Sequence, residues 1–299
     1  DPQVAPWLVT RPAREFQTDL FANVAPLPAV VSRTAEWLSL PSAFLLTRLS
    51  ATAVESYNVC PLQFKLEREW RIPREVPAAM QYGASMHRVL KTYFDAVRME
   101  RTFSETELID LFKADLGQAV IEDPYQRDLY ECQGVQQLQD FYAKMQRSVV
   151  PRVLHTEEQF GVRMGDATVV GRIDRVDDLG NGRVAIVDYK TGKPRAQEDA
   201  DESLQLSIYA IAAQQKWGYQ ADRLVFYNLE ENTAVTTTRA GAELEGARAR
   251  IAEVAGQIAA GKFDPKTGYQ CRLCPYRNLC PATEKPVQYP KPAKSASVQ

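Results

Sequence analysis

Gly171-Arg172-Ile173-Asp174-Arg175-Val176-Asp177 and Ile186-Val187-Asp188-Tyr189-Lys190-Thr191-Gly192 carry the densest chemistry of the sequence. Both alternate with period two, and Asp178-Leu179-Gly180-Asn181-Gly182 between them is a turn signal, so they read as an antiparallel hairpin. The midpoint of positions 174 and 188 is 181, inside that turn, so Asp174 and Asp188 should face each other within a residue of register. Cross-strand neighbours place their Cβ atoms about 4.5–5.5 Å apart. Two ionised carboxylates at that spacing repel unless a cation lies between them, and hard oxygen donors favour Mg²⁺ or Mn²⁺. Lys190, two positions after Asp188, shares its face of the strand. An acid pair with an ammonium suits a site where a metal activates water and a cation stabilises charge developing on a phosphate. Val184-Ala185-Ile186-Val187 is apolar on both faces, so Asp188 and Lys190 emerge from a buried strand, where lone charges need a reason.

Working outward, Met86, Val89, Leu90, Tyr93, Phe94 and Val97 form the stripe of an amphipathic helix over 84–97, and helices are expected to continue to about 146. Strands follow at 159–162, 168–176 and 183–189. Then come a helix near 202–217 closed by Gly218, strands near 223–229 and 233–238, and an alanine-rich helix near 242–260 ended by Gly261. The expected order is helices, then βββαββα.

The chain has 299 residues, 45% hydrophobic and 25% charged, with a net charge of −2. That excludes a disulfide-stapled mini-protein, a wholly disordered chain and a global basic field for gathering nucleic acid. Contact with a polyanion must then use local patches or metal ions. No uncharged apolar stretch is long enough to span a membrane, and the start has no leader pattern, so a soluble, cytoplasmic protein is expected. Of eighteen prolines, six lie in 1–50 and four in 281–299. We therefore expect an N-terminal extension or linker over 1–50, a folded domain over 51–282 and a disordered tail over 283–299.

Two further motifs flank the hairpin. Gly83-Ala84-Ser85-Met86-His87 opens the amphipathic helix, with His87 at the edge of its apolar stripe. Gln205-Leu206-Ser207-Ile208-Tyr209-Ala210 sits on the later helix, where Gln205 and Tyr209, four apart, share a face. With Gly171-Arg-Ile-Asp174-Arg175 and Asp188-Tyr-Lys190, these four ordered motifs resemble the PD-(D/E)XK nuclease superfamily, specifically its RecB/AddB-like (exonuclease V type) branch. The resemblance covers roughly residues 50–282. It implies an α/β, restriction-endonuclease-like core with a central mixed sheet in αβββαβ order. It also implies a Mg²⁺- or Mn²⁺-dependent DNA nuclease, of exonuclease character, in a DNA-repair helicase-nuclease. By the family pattern Asp174, Asp188, the Tyr189 carbonyl and His87 would hold the divalent ion. Lys190 would orient the attacking water, and Gln205 and Tyr209 would position the DNA strand or Lys190. Arg172, Arg175 and Arg68 are candidate phosphate contacts. His155, outside any motif, reads as an ordinary histidine.

Cys271-Arg-Leu-Cys274-Pro-Tyr-Arg-Asn-Leu-Cys280 supplies three thiols in a short loop, and Cys60 stands far upstream. Such a set suits zinc or an iron–sulfur cluster, and spacing alone does not choose between them. The resemblance implies a [4Fe–4S] staple. Cys132 fits no ligand spacing. Gly256-Gln-Ile-Ala-Ala-Gly261-Lys262-Phe263 fails as a phosphate-binding loop, because Phe263 replaces the hydroxyl residue and a helix holds the glycines. No motor is expected within these motifs, so a helicase would be a partner in the same chain or complex. The rival expectation is a non-catalytic iron–sulfur scaffold that guides DNA for a partner.

Overall fold

The computed structural model describes residues 48–283, so the proposed extension over 1–50 and the tail over 283–299 lie almost wholly outside the described residues. One compact unit extends over Ser42–Arg277. Every element named below belongs to it.

The short strand β1 (Arg48–Leu49) leads into helix α1 (Ala51–Val59), whose first turn is capped by Ser50 Oγ accepting from Ala53 N at 3.1 Å. Pro61 starts α2 (Pro61–Phe64), where its missing N–H costs nothing, and α2 widens into a π-helical turn at Lys65–Glu69. Helix α3 (Ala78–Arg98) buries Met86, Val89, Leu90, Tyr93 and Phe94, the face its periodicity predicts. Helices α4 (Glu105–Leu116) and α5 (Pro124–Arg147) pack beside it. They approach closely enough that a Cβ on Gly134 would run into the Phe112 ring.

The sheet comprises β1, β2 (Val153–Met164), β3 (Ala167–Gly180), β4 (Arg183–Lys190), β5 (Gln220–Asn228) and β6 (Thr233–Thr237). Its main path runs β1-β3-β4-β5-β6, with β2 paired to β3 as well. The β1/β3 and β4/β5 pairs are parallel and the others antiparallel, so the sheet is mixed, as the family resemblance implies. Helices α6 (Gln197–Asp201) and α7 (Leu204–Trp217) connect β4 to β5, and α8 (Gly241–Ala259) follows β6. Gly218 closes α7 in the left-handed conformation, with φ 72°. The near-phosphate-loop at 256–263 is the end of α8 and the turn after it. Three boundaries are displaced by four residues or more: β2 and α3 each begin six residues before their predicted starts, and β3 runs four residues past its predicted end; β1 and α6 are too short for a periodic signal.

One core lies on each face of the sheet. Val187, Tyr189, Tyr227 and Leu229 face α3, α4 and α5. Val176, Ile186, Leu224 and Phe226 face α7 and α8 together with Val54 and Tyr57 of α1. Strict alternation would put Ile173 and Val176 on opposite faces, yet both join the second core, while Arg175 lies against Phe94 of α3. The alternation therefore slips at Asp174. Nearby on β2, Glu157 takes a left-handed φ of 47°, unusual for a residue with a side chain. Thr156 and Glu158, which flank it, pair with Arg175 and Ile173.

Candidate active site

The hairpin pairs Arg175 with Val187 and Val176 with Ile186, which carries Asp174 to the position beside Asp188. Both carboxyl groups are buried, Asp188 to 2% exposure. Tyr189 N donates to Asp174 Oδ2 at 2.8 Å, so the strand backbone orients the first acid. Asp188 Oδ1 accepts from Gln205 Nε2 at 2.9 Å and from Tyr209 OH at 3.1 Å. Its Oδ2 makes no hydrogen bond of good geometry but faces Lys190 Nζ at 2.6 Å. Lys190 also donates to Gln205 Oε1 at 2.9 Å and lies 4.7 Å above the Phe226 ring. The ammonium has only donors, so it fixes which end of the Gln205 amide faces it and leaves Nε2 for Asp188 and Tyr209. Helix α7 thus locks the acid and the lysine into one network through two residues a turn apart.

From the opposite face, α3 delivers His87. Its helix runs close above the loop after β4, where a Cβ on Gly83 would stand 2.9 Å from Thr191 Oγ1. The glycine of the G-x-x-x-H motif thus permits the approach that brings His87 Nε2 to 3.1 Å from the Tyr189 carbonyl. His87 Nδ1 lies 3.4 Å from both Glu157 Oε1 and Asp174 Oδ1. Ligand atoms of His87, Glu157 and Asp174 all fall within 4.8 Å of one another. Glu157 was missed in the sequence. Its strand was placed too late, and the aim of its side chain depends on a left-handed backbone that no local pattern announces.

The charges in this cluster strain against one another. Burial and the neighbouring Asp174 charge push Asp188 up to about 6, against the pull of Lys190 and His87. Burial would lower the His87 imidazole, but Asp174 and Glu157 outweigh it and raise it to about 10. In the ion-free protein an imidazolium therefore stands where the acids seek positive charge. Hard carboxylate oxygens from Asp174, Glu157 and Asp188 and an imidazole nitrogen from His87 form a donor set that fits a small divalent cation.

The three candidate arginines separate. Arg172 is exposed beside the site and pairs with Glu157 at 3.1 Å. Arg68 is exposed in the π-helical turn, and among the described residues no ion pair joins it to the carboxylates. The phosphate-contact expectation for Arg175 is corrected by its burial. Its guanidinium stacks 4.1 Å from the Phe94 ring centroid, donates to Tyr189 OH at 2.6 Å and pairs with Asp177 at 2.9 Å, so it faces the helical core.

No disulfide joins any of the five cysteines, all of which lie among the described residues. Cys60 is buried at the α1–α2 junction, Cys271 and Cys274 are half-buried, and Cys132 is exposed on α5. Among the described residues no three thiols gather within the 4.8 Å that joins the His87 group. Tetrahedral zinc would require thiolates roughly 3.8 Å apart, from its 2.3 Å bonds, so a preformed zinc site is not there. His155 stacks on Trp217 away from the carboxylates. No helix among the described residues is long and apolar enough to cross a membrane.

The gene 69 protein of Mycobacterium phage D29 is 25% identical over 265 residues, covering 78% of this chain and 96% of that protein. Among solved structures, a candidate exonuclease from Eubacterium rectale aligns with a TM-score of 0.47 at 13% identity, over 81% of this chain and 91% of its own. The protein SSO0001 aligns at 0.40 with 15% identity, over 85% and 94%. A family model described as the PD-(D/E)XK nuclease superfamily matches residues 48–281, from β1 through the last cysteine, and the chain belongs to that superfamily.

Proposed function

We propose that this protein is a divalent-metal-dependent deoxyribonuclease that hydrolyses phosphodiester bonds from DNA ends. The observation that carries the reading is the Asp188–Lys190–Gln205–Tyr209 network, in which a buried acid and an ammonium are held together at the edge of a carboxylate cluster. Asp174, Asp188, Glu157, His87 and the Tyr189 carbonyl are the residues that would hold the ion. When bound, the ion would supply Lewis acidity to a phosphate oxygen and a more acidic water. Lys190 orients the attacking water and stabilises the charge that builds on the phosphate. Gln205 keeps the lysine in reach of Asp188, and Tyr209 fixes Gln205. Arg172, on the exposed side, is available to a phosphate of the strand.

The same reading takes a separate helicase motor as the partner that opens DNA. It places a [4Fe–4S] cluster on Cys60, Cys271, Cys274 and Cys280, in the manner of RecB/AddB-like nucleases. The cysteine spacing supports the cluster, and so do bonds that tie the 262–276 segment to α1, α2 and the chain just beyond. Lys266 Nζ donates to Asn58 O at 3.1 Å, Tyr276 OH donates to Ile72 O at 3.1 Å, and Cys274 Sγ lies 3.8 Å from Gln63 Oε1. Anaerobically purified protein should then be brown, with about four irons per chain, whereas iron-free protein would remove the cluster from the proposal.

The deciding experiment incubates end-labelled single- and double-stranded DNA with the protein in Mg²⁺, Mn²⁺ or EDTA. Cleavage should require the metal, and Asp188→Ala or Lys190→Ala should each lower it by ~10²–10³. Retained cleavage by Asp188→Ala, with contaminants excluded, overturns the assignment. Metal-independent binding without cleavage would favour a guiding scaffold.

A further inference from the structure

We infer that the loop Thr191–Ala196 is a phosphate-binding edge, which presents Lys193 and Arg195 to the DNA backbone beside the scissile bond. The inference rests on the nuclease reading and adds to it the surface that grips the strand. Four observations place the loop. Lys190 and Asn228 are register partners in the parallel β4/β5 pair, so their side chains rise from the same face of the sheet as Asp188 and Phe226. Asn228 is 1% exposed, and its carboxamide is fully used on the loop: Oδ1 accepts from Arg195 N at 2.9 Å, and Nδ2 donates to Arg195 O at 3.2 Å. A buried amide thus grips one loop residue by both its backbone groups, as a neighbouring strand would, and folds the chain back over the face that carries the catalytic network. At the loop's other end Thr191 lies under Gly83 of α3, and Leu229 N holds the Lys190 carbonyl at 2.8 Å.

The backbone is held while the side chains are not. Lys193 and Arg195 are exposed, and among the described residues neither has an ion-pair partner. Arg74, Arg88, Lys91, Arg172 and Arg183, also exposed, each pair with a carboxylate. Acids do follow closely in α6, but Asp199 accepts from Ala196 N at 2.9 Å, and no ion pair joins it to either cation. Two uncompensated cations on a pre-ordered loop, next to a site built for a phosphodiester, match the phosphates of a DNA strand. A fixed loop also loses little conformational freedom when it binds.

The test is DNA binding by fluorescence anisotropy in EDTA, where nothing is cleaved, across a series of KCl concentrations. Counterion release makes log K fall with log [salt] by about 0.9 per neutralised phosphate on duplex and about 0.7 on single strands. The double variant Lys193→Ala/Arg195→Ala should flatten the slope by about 1.8 on duplex or about 1.4 on single strands, with an unchanged melting temperature. Arg183→Ala, at the far end of β4, should leave the slope as it is. Asn228→Ala keeps both charges but frees the loop, so it should weaken binding several-fold with less change in slope. Wild-type protein that binds DNA while the double variant shows the same slope overturns this inference and leaves the nuclease reading standing. Wild-type protein that neither binds nor cleaves DNA overturns both.

Discussion

Arg175 illustrates how far a residue's role can lie from its motif. In sequence it follows the metal-site acid and looks like a phosphate contact. In the fold it is 9% exposed, sandwiched against Phe94 and bonded to Tyr189 OH and Asp177. Tyr189 in turn gives its N–H to Asp174 and its carbonyl to His87, so the arginine supports the site through the strand between them. Burial pushes the Asp177 carboxyl up against the pull of Arg175, so removing the guanidinium takes away the charge that offsets the acid's burial. Arg175→Ala is therefore expected to cost about 3–5 kcal/mol of stability, the usual cost of leaving one partner of a buried pair alone. Arg175→Lys should recover little of it, because an ammonium cannot stack and fork as a guanidinium does. Urea denaturation decides the matter: a fully stable Arg175→Ala protein that only binds DNA less well would return the residue to the surface role. The pairing of Asp174 with Asp188 was legible from turn arithmetic, whereas the place of His87 at the edge of a helical stripe carried no role until the G-x-x-x-H motif was set beside the other three. Arg175 was not legible, since the ring that receives it lies 81 positions upstream in a different element. Glu157 was hidden for another reason, because its aim follows from a backbone angle and not from a residue pattern.

At the scale of elements, the site depends on how closely β2 and β3 approach behind α7. A Cβ on Gly171 would stand 2.5 Å from the Phe160 ring, and that ring meets Tyr209 edge-on at 5.9 Å between centroids. Tyr209 bonds both Asp188 and Gln205. The glycine that opens the G-x-I-D-R motif therefore leaves room for a phenylalanine wedge, and the wedge sets the tyrosine. Gly171→Ala should push Phe160 toward α7, cost about 1–3 kcal/mol as overpacking commonly does, and reduce cleavage more than binding. Combining it with Phe160→Leu, which removes ring volume, should restore much of both. If Gly171→Ala cleaves at the wild-type rate, the wedge is not what holds Tyr209. Element order and the ends of α7 and α8 were readable because Gly218 and Gly261 mark them and apolar spacing fills them. The side of the sheet on which Arg175 lies was not readable, because the slip at Asp174 breaks the alternation on which such readings rest.

For the molecule as a whole, the two cores lie on opposite faces of one sheet, and the carboxylate cluster gathers contributions from both sides. His87 comes from the helical side, Gln205 and Tyr209 from the α7 side, and Glu157, Asp174 and Asp188 from three adjacent strands. An unfolded chain scatters these groups, so a divalent ion that occupies the site binds only the folded state and stabilises it. At one hundred times the dissociation constant that linkage amounts to about 2.7 kcal/mol. In a domain of this size it should appear as a rise in melting temperature of roughly 5–10 °C. Without an ion, the burial and the neighbouring Asp174 charge that lift Asp188 to about 6 are a cost carried by the fold. Asp188→Asn retains hydrogen-bonding capacity toward Gln205 and Tyr209 while removing one of the repelling charges. It also takes the anionic partner from Lys190, so it should melt no higher than wild type in EDTA and lose most of the rise produced by Mn²⁺. Calorimetry of the two proteins with and without Mn²⁺ separates the contributions. A wild-type melting temperature indifferent to millimolar Mn²⁺ would mean that the cluster is satisfied by His87 and Lys190 alone, and that its acids do not serve as an ion site.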